Sequence, residues 1–268
     1  MTLARRPRKR FGQHFLHDPA TVARIVQAVA PASGDTLVEI GPGEGVLTGR
    51  LLAAAGRLEA IEVDRDLAHA LRERADWTGR LRVHEADALD FDFSALAPAG
   101  GRLRLVGNLP YNVSTPLLFH LLSQRTAIAD MHFMLQREVV DRMAAAPASG
   151  DYGRLSVMIQ AYCRVQRLFR VAPGAFRPPP RVESAVVRLV PRAEPAVGPA
   201  AADAFADIVR RAFSARRKTL RNALRNRVQA ATLEAAGIDP GTRAERLAVA
   251  DFARLAHACT DRGGDNAV

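Results

Sequence analysis

The sequence predicts an α/β fold: a mostly parallel sheet with an antiparallel strand near its end, followed by a small all-helical domain. Three observations lead to this prediction. From residue 20 onward, helical apolar spacing alternates with short strand-like apolar runs, which is typical of repeated βα units. A glycine-rich turn ends the first of these runs and opens a helix. Beyond residue 201, apolar residues recur only at helical spacing.

The elements of the sheet domain follow from that alternation. Apolar residues from Val22 to Val29 have helical spacing behind Asp18-Pro19, an N-cap and first-turn pair, so a helix precedes the sheet. The predicted parallel strands are 36–40, 58–63, 81–84, 103–107 and 131–135, with later helices at 137–143 and 155–162. We expect an antiparallel pair, 164–171 and 185–189, to close the sheet. The proline-rich stretch 172–182 fits neither a helix nor a central strand.

The predicted domain boundary lies at residues 191–201, which contain three prolines and little bulky apolar content. We therefore predict a sheet domain over 1–190 with a basic N-terminal segment, a linker over 191–201, a helical domain over 202–260 and a disordered tail over 261–268. In the helical domain, Phe205, Ile208, Val209 and Phe213 share one helix face. Further helices are expected at 220–228, 233–236 and 246–259.

The composition excludes several classes of protein. The chain has 268 residues, 48% of them apolar, and two cysteines, so it is neither a disordered chain nor a disulfide-stabilised scaffold. Cys163 and Cys259 lack the spacing of metal ligands, and no stretch reaches the ~18 uninterrupted apolar residues of a membrane helix. We expect a cytoplasmic, monomeric protein with no metal site and no membrane span.

The net charge of +10 suggests a polyanionic partner. The excess is concentrated in residues 1–30 and 201–228, which together hold 14 basic and 3 acidic residues. Nucleic-acid contact is one explanation, and a solvated basic face is an equally good one for either segment alone. Almost all the basic residues are arginines, Lys9 and Lys218 being the exceptions, so the identity of arginine at one position is weak support for a role.

The glycine-rich turn is the first candidate binding element. Its pattern, Gly41-x-Gly43-x-Gly45, has the third glycine one residue earlier than in dinucleotide-binding loops. Two carboxylates, Glu39 and Glu44, flank it and would repel a pyrophosphate. A nucleoside with a cationic or zwitterionic end fits better, and S-adenosylmethionine is the obvious candidate. A tight structural turn is the alternative.

Polar residues recur at the ends of the following strands. Glu62, Asp87 and Asn108 come 21, 25 and 21 residues after one another, counted from Gly41, which is the interval of one strand-helix unit. The carboxyl ends of parallel strands form the ligand crevice of an open α/β sheet, where Glu62 is suited to accept both hydroxyls of a ribose. Each of the acidic residues alone is more typical of a solvated loop or a helix cap, but together these positions favour a cofactor crevice.

The tetrapeptide Asn108-Leu109-Pro110-Tyr111 is the most specific short motif. The side-chain oxygen of Asn108 and the carbonyl of Leu109 can each accept one hydrogen of an exocyclic amine, which directs the nitrogen lone pair at an electrophile. Tyr111 can stack on the base. An ordinary turn is the alternative.

Seven ordered segments resemble the ribosomal RNA adenine N6-dimethyltransferase family, and its bacterial small-subunit group in particular: residues 8–16, 38–45, 62–64, 87–88, 107–111, 114–116 and 176–184. The resemblance implies a Rossmann-like class I methyltransferase sheet. It places His14, Leu16, Gly41, Gly43, Glu62, Asp87 and Asn108 at the S-adenosylmethionine site. Asn108, Leu109, Tyr111 and Phe176 would hold the target adenine. His14 stands where many members have Asn.

Phe176 would form the second aromatic face of an adenine sandwich opposite Tyr111, and a buried loop anchor is the alternative.

The implied reaction is two methyl transfers to N6 of each of two adjacent adenosines, in a hairpin loop near the 3′ end of 16S rRNA in the assembling 30S subunit. We expect Arg217, Arg221 and Arg225 to share one helix face at i+4 steps and to contact RNA phosphates together with Arg8, Lys9 and Arg10.

Three other functions remain open on sequence grounds. A related enzyme of the same fold would modify a 23S rRNA adenine, although residues 176–180 and the helical extension favour the small-subunit group. A DNA adenine methyltransferase would share the motif at 108–111. An assembly factor would act mainly by binding immature 30S subunits, with methylation secondary.

Overall fold

The computed structural model describes residues 14–215 and 217–261. In chain order, the strands are β1 (Phe15–Leu16), β2 (Thr36–Ile40), β3 (Leu58–Glu62), β4 (Leu81–Glu85), β5 (Leu103–Asn108), β6 (Ile128–Gln136), β7 (Cys163–Val171), β8 (Phe176–Arg177) and β9 (Ser184–Pro191). The helices are α1 (Pro19–Val29), α2 (Val46–Ala55), α3 (Arg65–Arg72), α4 (Ser114–Ser123), α5 (Arg137–Met143), α6 (Arg154–Tyr162), α7 (Ala202–Ser214), α8 (Leu220–Leu224), α9 (Ala230–Ala235) and α10 (Val249–Asp261).

Seven strands form the main sheet in the order β4-β3-β2-β5-β6-β9-β7. The pairs from β4 through β6 are parallel, and β9 runs antiparallel to β6. The predicted α/β fold, with its antiparallel strand near the end, is confirmed. From β2 the chain continues to β3 on one side, and it returns to β5 on the other. The carboxyl ends of β2 and β5 therefore border the crevice where an open α/β sheet binds its ligand.

The strand boundaries agree with the apolar runs because these runs are buried in the sheet. In β2, four of the five residues are buried, which is typical of a parallel strand covered on both faces. The helix before the sheet begins as its N-cap predicts, with the Asp18 carboxylate accepting the Thr21 N–H at 2.8 Å. Val22 and Ile25 of α1 belong to the same buried apolar cluster as Leu51 of α2.

The proline-rich stretch contains a short strand that the sequence pattern did not predict. This strand, β8, pairs antiparallel with β1 in a separate two-stranded sheet, with Phe15 opposite Arg177 and Leu16 opposite Phe176. A two-residue strand has no measurable periodicity, so no apolar pattern could predict it. This pairing fixes the segment around His14 beside the proline-rich stretch.

The C-terminal helices lie near the positions predicted from the sequence, but one of them is shorter than predicted. Phe205, Ile208 and Val209 of α7 are fully buried, as their shared face predicts. The helix expected at 220–228 is shorter, because α8 ends at Leu224. Ahead of it, Thr219 is extended and pairs with Arg243. This long-range backbone pairing prevents a helix from running through residue 217.

The compact units also differ from the predicted domains. Among the described residues, 14–140 and 166–191 form one unit, and 141–165 and 192–261 form the other. The sequence placed α6 with the sheet, whereas it packs with the C-terminal helices: the rings of Tyr162 and Phe205 lie edge to face with centroids 6.3 Å apart. No helix that the structure describes is long and apolar enough to cross a membrane.

Candidate active site

A cleft lies at the carboxyl ends of β2, β3, β4 and β5, with an empty volume of about 1060 Å³ that includes its open mouth. Seven residues that the sequence assigns to cofactor binding line it: His14, Leu16, Gly41, Gly43, Glu62, Asp87 and Asn108. Leu109 and Tyr111 line it as well. The position, at the reversal of strand order, is where such a sheet accepts a nucleotide-sized ligand.

The glycine loop after β2 brings backbone to the wall of this cleft. Gly43 and Gly45 have φ angles of 59° and 80°, in the left-handed region that favours glycine. A Cβ on Gly43 would lie 3.1 Å from the Phe15 ring, and one on Gly45 would lie 2.6 Å from Trp77. Both the backbone conformation and the close approach therefore require glycine here.

Glu62, at the end of β3, is the best-fixed acceptor in the cleft. It is 5% exposed, and its two carboxylate oxygens accept the N–H groups of Gly43, at 3.1 Å, and Asp64, at 2.9 Å. Burial raises the pKa of Glu62, while these two hydrogen bonds oppose the shift. A carboxylate has about four acceptor positions, so positions remain for ribose hydroxyls.

Glu39 is a second buried carboxylate on the same wall. It is 2% exposed and accepts a hydrogen bond from the Thr48 hydroxyl at 2.6 Å. Burial raises the pKa of Glu39 to about 7; the Thr48 hydrogen bond lowers it and the charge of Glu62 raises it further. This carboxyl group is therefore close to half ionised at neutral pH, and a cationic ligand in the cleft would favour its ionised form.

Asp87 combines the two functions that its sequence position left open. It is exposed at the cleft, and its Oδ1 accepts the Leu89 N–H at 2.9 Å, which caps the turn after β4. The carboxylate is thus held at the rim by a local turn, and a carboxylate has acceptor positions beyond the one used by Leu89.

The amide of Asn108 is oriented by the segment before α1. Its Nδ2 donates to the carbonyl oxygen of His14 at 2.9 Å. With the amide nitrogen occupied in this way, Oδ1 is the group left to accept a hydrogen bond. Next to it, the main chain of Leu109 is fixed by donation of its N–H to the carbonyl of Met134 at 3.1 Å.

Two contacts hold the side chain of Tyr111, one at its hydroxyl and one on its ring. Its hydroxyl lies 2.7 Å from Oγ of Ser184, the fully buried first residue of β9. Burial raises the pKa of Tyr111, and the Ser184 hydrogen bond lowers it. The ring is stacked with that of His14. Tyr111 is therefore a rigid, neutral aromatic surface at the cleft.

A family model described as ribosomal RNA adenine dimethylase matches residues 4–261. The chain belongs to this family. A ribosomal RNA small subunit methyltransferase A from Pseudomonas aeruginosa is 51% identical to it over 260 residues, which are 97% of each chain. The crystal structure of a dimethyladenosine transferase from Plasmodium falciparum is similar with a TM-score of 0.80 and 27% identity, over 93% of this chain and 98% of that one. The crystal structure of the 23S rRNA methyltransferase ErmE is similar with a TM-score of 0.69 and 28% identity, over 91% of this chain and 99% of that one.

This dimethylase depends on S-adenosylmethionine, and the donors and acceptors of the cleft suit that cosubstrate. Gly43 contributes main chain without a side chain to the cleft wall, Glu62 offers acceptors for ribose hydroxyls, and the buried Glu39 carboxyl group suits a cationic end. Two carboxylates on one wall do not suit a pyrophosphate, as the sequence also indicated.

Phe176 is buried away from the cleft, whereas the expected adenine sandwich would place its ring at the cleft. It is 2% exposed, belongs to the buried apolar cluster and does not contribute to the lining of the cleft. Its pairing with Leu16 in the β1–β8 sheet explains the burial. In this arrangement Phe176 is the buried loop anchor that the sequence offered as the alternative.

The predicted RNA-binding residues fall into two groups. Arg8, Lys9 and Arg10 lie outside the described residues. Arg217, Arg221 and Arg225 are exposed, but the expectation of one shared helix face is wrong. Helix α8 holds only Arg221 of the three, since Arg217 precedes the extended Thr219 and Arg225 is the C-cap.

Sequence reasoning missed two side chains that hold the site. Thr48 fixes Glu39, and Ser184 fixes Tyr111. For Thr48 the available signal was a lone hydroxyl on the apolar face of α2; for Ser184 it was the end of the 176–184 segment. In both cases only the fold shows which partner the hydroxyl meets.

Proposed function

We propose that this dimethylase transfers two methyl groups to N6 of each of two adjacent adenosines in a hairpin loop near the 3′ end of 16S rRNA, within the assembling 30S subunit. The family supports an rRNA adenine as target, and the name of the Pseudomonas relative supports the small subunit. The 23S rRNA methyltransferase ErmE has the lower TM-score of the two solved structures, so the fold comparison gives no preference for a 23S rRNA target.

The observation that carries the proposal is the arrangement around Asn108. Its amide nitrogen donates to His14, so its oxygen accepts one hydrogen of the target amine, and the carbonyl of Leu109 accepts the other. The nitrogen lone pair then points towards the cleft. S-adenosylmethionine supplies the methyl group on a sulfonium, which is already a good electrophile.

Tyr111 contributes a ring rather than a base. Its pKa is raised above the usual value, so the hydroxyl stays protonated at neutral pH and its hydrogen bond to Ser184 persists. The flipped adenine stacks on this ring, and the amine loses its proton after transfer. The second transfer requires room for one methyl group beside Asn108.

The decisive experiment is transfer of a tritiated methyl group from S-adenosylmethionine to three substrates: unmethylated 30S subunits, naked 16S rRNA and mature 50S subunits. We expect incorporation into 30S subunits, with dimethyladenosine as the modified nucleotide at two adjacent positions. Incorporation into 50S subunits alone, or into none of the three substrates, would overturn the proposal.

We also propose that Arg217, Arg221 and Arg225 contact RNA phosphates. Their side chains are exposed, and Arg243 is brought beside this segment by the pairing of its backbone with Thr219. The exposed positive charges therefore come from two chain segments rather than from one helix face. Phosphate contacts of this kind give affinity that depends steeply on salt.

A matched pair of triple variants tests this surface. Replacing Arg217, Arg221 and Arg225 with Gln should weaken binding to 30S subunits and reduce the slope of log affinity against log salt by about one per lost contact. Replacing the exposed Arg50, Arg57 and Arg102 removes the same charge from the sheet unit and serves as the control. Equal slopes for the two variants would contradict the assignment.

A further inference from the structure

His14 contacts both groups that the proposed mechanism uses to hold the target adenine. Its carbonyl oxygen accepts from Nδ2 of Asn108 at 2.9 Å. Its ring is stacked on Tyr111, with centroids 5.5 Å apart and planes inclined by 29°. The ring is held there by a third contact, because Nδ1 donates to the carbonyl oxygen of Pro178 at 2.8 Å.

This spacing leaves no room for a base between the two rings. Stacked aromatic rings have centroids about 4.5–7 Å apart, so His14 and Tyr111 are already in direct contact. A base inserted between them would require roughly twice that separation. The face of Tyr111 that His14 covers is therefore closed to adenine for as long as the His14 ring stays in place.

We propose that the His14 ring occupies the position of the flipped adenine on Tyr111 and that the target base must displace it before methyl transfer. This inference rests on the proposed function. Displacement breaks the stacking contact and the hydrogen bond to Pro178. The main-chain carbonyl of His14 is independent of the ring, so it continues to orient the amide of Asn108.

The consequence is a displacement cost that every substrate meets. A short single strand offers the base and few other contacts, so this cost leaves it weakly bound. A folded rRNA in a 30S subunit adds phosphate contacts elsewhere, and that binding energy offsets the displacement. The His14 ring thus weakens the binding of every target adenine by the same factor, and the loss is most apparent for RNAs that make few other contacts.

The test compares two substrates across four variants. The substrates are 30S subunits and a short single-stranded RNA with two adjacent adenosines. His14→Ala and His14→Asn remove the ring, His14→Phe keeps a ring, and His17→Ala alters the nearby exposed histidine as a control. We expect the first two to raise kcat/KM for the short RNA by about two- to tenfold, mainly through KM, from the loss of one stacking contact.

The other results expected are a gain of similar size in kcat/KM on 30S subunits, a smaller gain for His14→Phe, which keeps a ring on Tyr111 but lacks the hydrogen bond to Pro178, and wild-type behaviour for His17→Ala. An unchanged kcat/KM for the short RNA in His14→Ala, or a fall in kcat/KM that follows a loss of S-adenosylmethionine affinity measured by calorimetry, would overturn the inference. Fluorescence of a hairpin carrying 2-aminopurine at the target position, bound with S-adenosylhomocysteine present, gives a second readout. Its affinity should rise in His14→Ala.

The two proposals fail in different ways. If the wild-type enzyme methylates 30S subunits and the ring-free variants gain nothing on the short RNA, only the role of His14 is overturned. If the wild-type enzyme methylates neither substrate, the proposed function is overturned, and the role of His14 with it.

Discussion

Two carboxylates in the sheet, Glu39 and Asp130, are almost completely buried, with exposed fractions of 2% and 4%, yet their surroundings differ. Asp130 lies near the amino end of β6, where Arg104 and Arg188 donate to it at 3.0 Å. Burial alone raises the pKa of Asp130, but the arginine hydrogen bonds bring it below its usual value. Glu39 lies near the carboxyl end of β2 and pairs with a hydroxyl, and its pKa is raised to about 7.

The difference separates a stabilising end of the sheet from a ligand-binding end. At the amino end, Arg104 also donates to Asp35 and to the last carbonyls of α1, Val29 and Ala30, so the charges there are neutralised within the protein. At the carboxyl end, no basic side chain pairs with Glu39 in the part of the chain that the structure describes. A carboxyl group left in this state is suited to a cationic ligand.

Removing the buried charge at the amino end should give the largest effect. Asp130→Asn leaves Arg104 and Arg188 without their shared carboxylate, so we expect the free energy of unfolding to fall by about 3 kcal/mol. Urea denaturation followed by circular dichroism measures the loss. S-adenosylmethionine affinity of the folded protein should be unchanged, since Asp130 is not part of the cleft lining.

The matched control is Glu85→Gln in the same sheet. Glu85 also pairs with two arginines, Arg65 and Arg72, but it is 33% exposed. Because exposed ion pairs are screened by solvent and contribute little to stability, this variant should unfold almost as the wild type does. Equal losses of unfolding free energy in Asp130→Asn and Glu85→Gln would show that burial does not make the Asp130 ion pairs more stabilising than those of Glu85.

The next largest effect is expected at the catalytic motif. Asn108→Ala removes the amide oxygen that positions the amine, so transfer to 30S subunits should fall at least about 100-fold. S-adenosylmethionine binding should remain measurable by calorimetry. Asn112→Ala, at an exposed position four residues on, should retain wild-type rates. Substantial residual transfer by Asn108→Ala would remove Asn108 from its proposed role.

Sequence patterns were sufficient where local forces determine the structure. The central strands coincide with short segments rich in apolar residues, and the N-cap at Asp18 defines the start of α1, so these elements appear close to where they were expected. Cleft residues could be anticipated because strand ends converge in a parallel sheet. Gly41, Glu62, Asp87 and Asn108 therefore followed from the order of elements, whereas His14 and Leu16 were assigned only through the family resemblance.

Long-range contacts account for what the sequence did not predict. The pairing of Thr219 with Arg243 keeps Arg217 off the helix that was expected to carry three arginines, and the pairing of Leu16 with Phe176 buries a ring that was expected to face adenine. The ion cluster at Asp130 was equally hidden, because arginine is so abundant here that Arg104 carried no special signal. Each case depends on partners more than 20 residues apart in the chain.

Glu62 tests the ligand-binding end directly. Glu62→Ala removes the acceptor proposed for the ribose hydroxyls and leaves the N–H groups of Gly43 and Asp64 without their partner. Hydrogen bonds to charged groups contribute about 1.5–3 kcal/mol, so S-adenosylmethionine affinity should fall about 10- to 100-fold in calorimetry. Glu73→Ala, at an exposed carboxylate on the C-cap of α3, should bind as the wild type does.

The smallest expected effect concerns the protonation of Glu39. Its pKa of about 7 in the folded protein lies above the ordinary value of 4.5, so the folded state binds more protons between these values and loses stability as the pH rises through that window. A cationic ligand favours the ionised form. S-adenosylmethionine affinity should therefore increase a few-fold between about pH 6 and pH 8.

Glu39→Gln isolates this contribution because glutamine stays neutral over the whole range. The variant should lose the part of the pH dependence that belongs to residue 39, and near pH 8 it should bind S-adenosylmethionine more weakly than the wild type. It should also unfold less readily near pH 8, since it no longer buries an ionised carboxylate. Parallel pH profiles for wild type and variant would mean that the Glu39 charge does not contribute to cosubstrate binding, and the contrast with Asp130 would then be one of stability alone.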